Sequence, residues 1–326
     1  MQSNPERTYN GQGWSAFGGP RGALADSPRS YRCAASLRYF FLVITTFASL
    51  TALVSAAEQV LYEKRSPFGL VIVTEENGLR TLSFEKGGAR QSVVKPGDPN
   101  HLELPYAPVA FTGLALCREP RRGLVVGLGG GTLPMFLRRH YPEATIDAVD
   151  IDPEVVFVAR EFFGFREDSR MRGIVADGRK FIENTRQPYD VIFLDAFGTN
   201  SVPPALTTQE FLRSVRQAVR PDGVVVGNIW NRQSNPLYDS MVRTYQEVFD
   251  DLYILDVRGA ANKILLALPR RQNFSREELA ELAGRVSTAK RFPFDLGARV
   301  TYGFQHAIKK NSEGRVLRDT DVGPSR

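Results

Sequence analysis

Cysteine and histidine are scarce in this sequence. Its 326 residues include two cysteines, Cys33 and Cys117, and three histidines. Two cysteines cannot build a disulfide framework, and neither has a neighbour at metal-ligand spacing. The composition therefore argues against a disulfide-rich or zinc-stabilised domain, and we expect no metal cofactor.

Long runs of like charge are also lacking. The formal net charge is +6 and the sequence pI is about 9.4, but the arginines are scattered along the chain. A nucleic-acid surface needs a focused basic face with interleaved aromatic residues, so we expect no nucleic-acid partner. The hydrophobic content of 42% and charged content of 24% are ordinary for a globular protein. This length allows one large domain with or without a small appendage.

The amino-terminal segment differs from the rest in composition. Residues 1–37 are rich in Gly, Ser, Pro and Arg, which predicts a disordered basic leader. Residues 38–57 follow as a signal peptide or membrane anchor, because the run from Tyr39 to Ala57 is uncharged and ends in small residues. We therefore expect an exported or membrane-tethered protein, or a cytoplasmic one if this segment is not a targeting signal.

Residues 58–119 are predicted to form a small antiparallel β domain with a linking helix. The run 70–74 is β-branched, Asn77-Gly78 is a turn signal, and 79–84 alternates in polarity. A third short strand is expected at 91–94. A helix over 102–116, beginning near Pro105, then leads into the next domain.

Residues 120–270 alternate between strand and helix patterns. Strands are predicted at 123–127, 145–149, 172–176, 190–194 and 224–229, followed by an antiparallel pair at 253–257 and 263–268. Repeated βα units predict an α/β fold with a doubly wound, mainly parallel sheet. Residues 271–326 are expected to add a helix capped by Ser275 and Glu278 and then a loose tail.

A glycine run follows the first of these strands and opens a helix. It contains Gly127, Gly129 and Gly131. Glycines let the backbone turn sharply and approach a ligand closely, so the run predicts a nucleotide-like ligand. Alone it is a weak signal, since many mononucleotide and dinucleotide folds carry one.

Acidic residues end the next three strands. Asp150 lies about 20 residues beyond the glycines, where a carboxylate can accept hydrogen bonds from ribose hydroxyls, whereas Asp152 is expected to cap the following helix. Asp177 with Gly178 ends the third strand, which favours a sulfonium nucleoside over NAD. Asp195 ends the fourth, where one carboxylate suits a general base or an anchor for a cationic substrate.

Residues from about 58 to 268 resemble the polyamine aminopropyltransferase (spermidine synthase) family. The resemblance is carried by these motifs: 61–69, the glycine run, 149–153, Asp177-Gly178, Asp195, Pro203-Pro204 and 207–211. It implies a small β domain joined to a Rossmann-like, class I methyltransferase-type domain. It also implies Asp150 at the ribose, Asp177 at the adenine and Asp195 as the base that deprotonates an amine. Family members often form dimers, so a homodimer is a further expectation.

The same resemblance implies a wider donor site. Its residues are Gly127, Gly129, Gly131, Asp150, Ile151, Asp177, Gly178 and Pro204, with decarboxylated S-adenosylmethionine or S-adenosylmethionine as co-substrate.

Several family residues are absent from this sequence. The glycine-run acid that binds the aminopropyl amine is replaced by Gly129, and a second acid after the base is replaced by Gly198. The place of a family glutamine falls near Gly69, and the place of a family Tyr-His-Glu run reads His101-Leu102-Glu103. This pattern resembles the divergent spermidine-synthase-like branch related to S-adenosylmethionine-dependent methyltransferases, which share the glycine run followed by residues 133–137.

Three functions are consistent with these residues. The first is aminopropyl transfer from decarboxylated S-adenosylmethionine to a putrescine-like amine, with Asp195 as general base. The second is methyl transfer from S-adenosylmethionine to a small-molecule or protein amine, because a donor that keeps its carboxylate would be repelled by an acid at position 129. The third is a non-catalytic module that binds a nucleoside or polyamine.

Overall fold

The computed structural model describes residues 58–198 and 201–322. Within these ranges no helix has both the length and the apolar character needed to cross a bilayer. The predicted leader and the predicted signal peptide or anchor at 1–57 lie outside the described residues, and they stay predictions.

The amino-terminal part is a four-stranded antiparallel sheet in the order β1-β2-β3-β4. Its strands are β1 (Gln59–Ser66), β2 (Gly69–Glu76), β3 (Leu79–Ser83) and β4 (Arg90–Val94). Asn77 and Gly78 both have positive φ, at 51° and 75°, which suits the two-residue hairpin turn that the sequence predicts. The small β domain is confirmed, with β1 as an additional strand.

The linking helix is shorter than the sequence predicts. Helix α1 spans Tyr106–Ala110 and tightens into a 3₁₀ helix at Phe111–Ala115. Gly113 explains the close packing there, because a Cβ at this position would lie 2.4 Å from Val226 Cγ2. This segment therefore passes directly beneath the second sheet.

The second sheet has eight strands in the order β12-β10-β11-β9-β8-β5-β6-β7. Its parallel strands are β5 (Arg122–Val126), β6 (Thr145–Asp150), β7 (Met171–Val175), β8 (Tyr189–Leu194) and β9 (Val219–Trp230). Its antiparallel strands are β10 (Asp251–Asp256), β11 (Asn262–Leu268) and β12 (Phe304–His306). The parallel strands are added to one side of β5 as β6 and β7 and then to its other side as β8 and β9, so the strand order reverses between β5 and β8. Ligands bind at such switch points in open α/β sheets.

Helices cover both faces of this sheet, as the doubly wound prediction requires. They are α2 (Thr132–His140), α3 (Pro153–Phe162), α4 (Gly178–Glu183), α5 (Gln209–Ala218), α6 (Tyr238–Val248), α7 (Arg276–Lys290) and α8 (Leu296–Tyr302). Strand residues alternate between two buried clusters: Phe193 packs in one, and its neighbour Ile192 packs in the other. The predicted capping box of α7 at Ser275 and Glu278 is present.

The carboxyl-terminal segment is packed, so the expectation of a loose tail is wrong for residues up to 322. Strand β12 extends the sheet, and Leu317 is buried with its N–H donating to Thr244 Oγ1 at 3.0 Å. Asp319 forms an ion pair with Arg179 at 2.6 Å. The tail is held because one apolar side chain and one bidentate ion pair anchor an otherwise polar stretch.

Candidate active site at the carboxyl ends of the strands

The glycine run lies immediately after β5. Gly127, Gly129 and Gly131 all have positive φ, at 96°, 52° and 80°. A Cβ at Gly127 would lie 2.4 Å from the carbonyl oxygen of Asp195, and one at Gly131 would lie 2.8 Å from the ring of Phe165. Side chains are therefore excluded at Gly127 and Gly131 by both backbone conformation and space.

Asp150 is tied to the glycine run by main-chain hydrogen bonds. Its Oδ2 accepts from the Leu128 N–H at 3.0 Å, and its Oδ1 accepts from the Asp152 N–H at 3.0 Å. Burial raises the pKa of this carboxyl to about 6, while these N–H donors act in the opposite direction. The carboxylate therefore helps to fix the shape of the loop that it adjoins.

The small β domain contacts the chain just beyond Asp150. Asp152 caps α3 as predicted, accepting from the Glu154 N–H at 2.9 Å, and its Oδ2 accepts from Ser66 Oγ at 2.5 Å. Glu154 accepts from the Tyr62 hydroxyl and pairs with Lys64 at 2.6 Å. Alternate residues of β1 thus hold the start of α3, so both domains shape this edge of the site.

Asp177 and Gly178 lie at the end of β7. The Asp177 carboxylate caps α4 by accepting from the Lys180 N–H at 3.0 Å. A Cβ on Gly178 would lie 2.5 Å from Val126 Cγ1, so this loop is pressed against the end of β5. One Asp177 oxygen is thus engaged in a helix cap.

Ile151 and Pro204 mark the outer rim of this region. The Ile151 side chain is 40% exposed. Pro204 begins a 3₁₀ turn (Pro204–Leu206), and Arg179 donates to the Ala205 carbonyl at 3.4 Å while also binding Asp319. Arg179 therefore connects the Pro204 turn, the loop after β7 and the packed tail.

Asp195 lies just past the end of β8 and is held by two side chains. Asn228 Nδ2 donates to its Oδ1 at 2.8 Å, and the Tyr106 hydroxyl donates to its Oδ2 at 2.8 Å. Asn262 Nδ2 donates to Asn228 Oδ1 at 2.9 Å, which orients the amide. Burial raises the pKa of Asp195 to about 6 against the effect of its two donors, and it raises the pKa of Tyr106 well above its ordinary value.

Sequence reasoning missed Tyr106 and Asn228. They lie 89 and 33 residues from Asp195 in the chain. One signal was available: Asn228 is a polar residue inside the apolar run 224–229, and a buried amide in a strand needs a partner. The sequence at 101–103 departs from the family's Tyr-His-Glu run and gives no indication of a functional tyrosine at position 106.

Gly129 and Gly198, which the resemblance places at positions of family acids, have different surroundings. A Cβ on Gly129 would lie 3.4 Å from Ser92 Cβ, and Ser92 Oγ shares a 3.1 Å hydrogen bond with Thr132 Oγ1. The Gly198 N–H donates to the Ser201 carbonyl at 2.8 Å, and among the described residues a Cβ on Gly198 would meet no atom closer than 3.6 Å. The Ser92 side chain therefore lies beside the first position, with Thr132 hydrogen-bonded to it, whereas the described residues leave more space around the second.

The structure brings together the glycine run, Asp150 and Asp195 at the switch point, with Asp177 one strand further along the same edge. Across the described residues, no group of three or more His, Cys, Asp or Glu side chains is arranged to hold a metal ion. A glycine-rich loop and acidic strand ends on this sheet define a Rossmann-like domain of the methyltransferase type.

Comparison with known proteins identifies the family. A model described as the spermine/spermidine synthase domain matches residues 109–254. The polyamine aminopropyltransferase of Vibrio vulnificus is 32% identical over 237 residues, which cover 69% of this chain and 79% of that enzyme. The chain therefore belongs to the spermine/spermidine synthase family, which confirms the resemblance seen in the sequence.

Methyltransferases are also similar to this chain. The human eEF1A lysine and N-terminal methyltransferase is 36% identical over 216 residues, covering 60% of this chain and only 31% of that protein. The structure of human methyltransferase-like protein 13 in complex with SAH matches with a TM-score of 0.54 and 34% identity, over 59% of this chain and 94% of that one. Aminopropyltransferases and methyltransferases are both transferases, and this chain is a transferase.

The fold extends to spermidine synthases at lower identity. A probable spermidine synthase from Corynebacterium glutamicum matches with a TM-score of 0.63 over 81% of this chain and 97% of that one, at 20% identity. This match supports the two-part fold, with a small β sheet followed by the methyltransferase-type sheet.

Proposed function

We propose that this chain transfers a methyl group from S-adenosylmethionine to an amine. The observation that carries the proposal is the environment of Gly129, where the family's acid is replaced by a glycine beside two hydroxyls. The amine nitrogen attacks the methyl carbon of the sulfonium, the carbon–sulfur bond breaks, and S-adenosylhomocysteine leaves. The proton that the amine loses passes to Asp195.

The donor tail is the part that distinguishes the two reactions. S-adenosylmethionine carries a carboxylate there, whereas the decarboxylated donor carries only an ammonium group. Ser92 and Thr132 supply hydroxyl donors beside Gly129, and Thr132 is the first residue of the nine-residue helix α2. The amino-terminal end of a helix favours negative charge, so these groups suit a carboxylate better than an ammonium ion.

The nucleoside end of the donor is assigned to the two acidic strand ends. We expect Asp150 to accept hydrogen bonds from the ribose hydroxyls and the free oxygen of Asp177 to accept from the adenine amino group. Ile151, Gly178 and Pro204 would line the base. The similarity to a methyltransferase structure solved with SAH supports a donor of this kind.

Asp195 is suited to accept a proton near neutral pH. Its pKa of about 6 lies close to neutrality, which is where a general base both ionises and retains proton affinity. Asn228 and Tyr106 fix the carboxylate through one hydrogen bond to each oxygen. Such positioning brings the base to the attacking amine and contributes to the rate.

Aminopropyl transfer is the second candidate. It is favoured by the Vibrio vulnificus aminopropyltransferase, which matches this chain over 79% of its own length. In that reaction the amine would attack the carbon of the aminopropyl group, methylthioadenosine would leave, and Asp195 would accept the same proton.

Product analysis separates the candidates. The full chain is incubated with either donor and an amine set of n-butylamine, putrescine and a lysine-containing peptide with a free amino terminus. Amine-dependent S-adenosylhomocysteine supports the proposal, with Asp195→Asn as the matched control. Methylthioadenosine formed from the decarboxylated donor overturns it in favour of aminopropyl transfer. Donor binding without either product would overturn both reactions in favour of a non-catalytic binding module.

A further inference from the structure

Two aromatic residues, Phe197 and Trp230, follow two residues after Asp195 and Asn228, which share a hydrogen bond. The last paired residues of β8 and β9 are Leu194 and Gly227. Continuing the same register places Asp195 opposite Asn228, where the 2.8 Å hydrogen bond is found. Phe197 and Trp230 each follow two residues further along the chain.

The two rings contact each other across the strands. Their centroids are 5.5 Å apart with an interplanar angle of 32°. Side chains two residues apart on an extended strand project on the same side, about 7 Å apart along it. Trp230 therefore lies on the same side of β9 as Asn228, and the ring contact brings Phe197 to that side, next to the reacting end of the site.

Core packing does not account for this pair. The neighbouring residues Leu194 and Ala196 pack against the hydrophobic cluster on the opposite face, whereas Phe197 and Trp230 belong to none of the three buried clusters of the described chain. Both rings are only partly buried. The pair thus offers partly exposed aromatic surface two residues along the chain from Asp195 and from its partner Asn228.

A carboxylate beside aromatic rings is a combination that recognises alkylammonium ions. The faces of Trp and Phe carry negative potential and attract a cation, and Trp does so most strongly. A carboxylate adds Coulomb attraction for the cation. A second acid would in addition require a second cationic group at a fixed distance from the first. Position 198 is a glycine and supplies no second acid, so the two rings add a recognition surface to that of Asp195.

We infer that Phe197 and Trp230, together with Asp195, form the acceptor subsite and that it takes an alkylammonium head group carried on an apolar or extended stem. This inference rests on the proposed function, since it names the acceptor class of that site. Because Asp195 is the single acid assigned to it, the subsite favours a monoamine or an amino group of a peptide over a diamine that needs two acids.

Tryptophan fluorescence reports on this subsite directly. The chain contains two tryptophans, Trp14 and Trp230. In the full chain carrying Trp14→Phe, the signal comes from Trp230 alone. The probes are choline and 3,3-dimethyl-1-butanol, which have the same shape and differ in charge.

Choline is expected to bind at least about tenfold more tightly than the neutral alcohol, which is the size of effect that a partly desolvated cation–aromatic contact produces. Phe197→Leu should remove most of this preference, and Phe197→Tyr should retain it because the ring remains. Equal binding of the two probes, or no response of Trp230 to choline, would overturn the inference.

The outcome is separable from that of the proposed function. A charge preference that depends on the Phe197 ring, in a protein that makes no S-adenosylhomocysteine, would leave the subsite standing while the reaction fails. Turnover with S-adenosylmethionine but no choline preference would refute the subsite and leave the reaction intact. Thermal unfolding of Phe197→Leu against Phe197→Tyr shows whether a loss of binding reflects folding.

Discussion

Asp150 and Asp195 follow the two strands that flank β5, and burial raises the pKa of each carboxyl to about 6, yet they are held in different ways. The hydrogen-bond donors to Asp150 are main-chain N–H groups of its own loop and of the adjoining glycine run. The donors to Asp195 are side chains of Tyr106 and Asn228 from distant elements. The donor half is thus fixed by backbone, whereas the acceptor half is fixed by side chains that can change without altering the fold.

Gly129 and Gly198, which the resemblance places at positions of family acids, show the same division. Gly129 has a positive φ and Ser92 close by, so an acid there would strain the loop. Gly198 has no positive φ, and among the described residues a Cβ there would meet no atom closer than 3.6 Å. The backbone therefore favours glycine more strongly at the donor end than at the acceptor end.

Replacing Asp195 should have the largest effect. Asp195→Asn keeps the shape but removes the proton acceptor, and loss of a general base costs about 10²- to 10⁴-fold in rate. Single-turnover formation of S-adenosylhomocysteine measures this loss, and calorimetry should show donor affinity unchanged. Unaltered turnover would mean that Asp195 is not the base.

Replacing Asp150 should affect the opposite half. Asp150→Asn weakens charge-assisted hydrogen bonds to the ribose, so the dissociation constant of the donor should rise by about 10- to 100-fold. The rate at saturating donor should change far less than in Asp195→Asn. If Asp150→Asn has normal donor affinity and impaired turnover, the distinction between the donor half and the acceptor half of the site is wrong.

Alanine substitutions at Gly129 and Gly198 test whether the backbone requires glycine at each position. Gly129→Ala should lower the free energy of unfolding by about 1–2 kcal/mol, because a Cβ is disfavoured at positive φ. Gly198→Ala should leave it nearly unchanged. Urea unfolding of the two variants provides the comparison, and equal destabilisation would contradict it.

The smallest effect is a shift in pH dependence. Because burial raises the pKa of Asp195 to about 6, its ionised form and the single-turnover rate at saturating donor should increase as pH rises through that value. The Tyr106 hydroxyl stabilises the carboxylate, so Tyr106→Phe should move the midpoint of this rise in rate to higher pH. A midpoint that stays in place, or that moves to lower pH, would show that Tyr106 does not act on the base.

Local patterns predicted the positions of most strands, the glycine run and the acidic strand ends, since each depends on residues close together in sequence. The helix over 102–116 was predicted too long because its second half tightens to a 3₁₀ helix under the sheet at Gly113. Tyr106, Asn228 and the pairing of Phe197 with Trp230 depend on strand register and helix placement. No local pattern encodes those contacts. Asp195 was therefore predicted from the sequence, whereas the side chains around it were found only in the structure.

The packed tail was missed for a related reason. Its sequence is polar, and it is held to the domain by Leu317, by the pairing of Asp319 with Arg179 and by hydrogen bonds such as those from Gln246 to the carbonyls of Ala307 and Lys309. A single buried leucine in a polar stretch has no periodicity to detect.

The central claim is that the donor keeps its carboxylate. Calorimetric titration of the full chain with S-adenosylmethionine and with its decarboxylated form tests it most directly. The intact donor should bind more tightly, and Ser92→Ala should narrow the difference because one hydroxyl donor beside Gly129 is lost. Tighter binding of the decarboxylated donor would contradict the claim and favour aminopropyl transfer as the reaction of this chain.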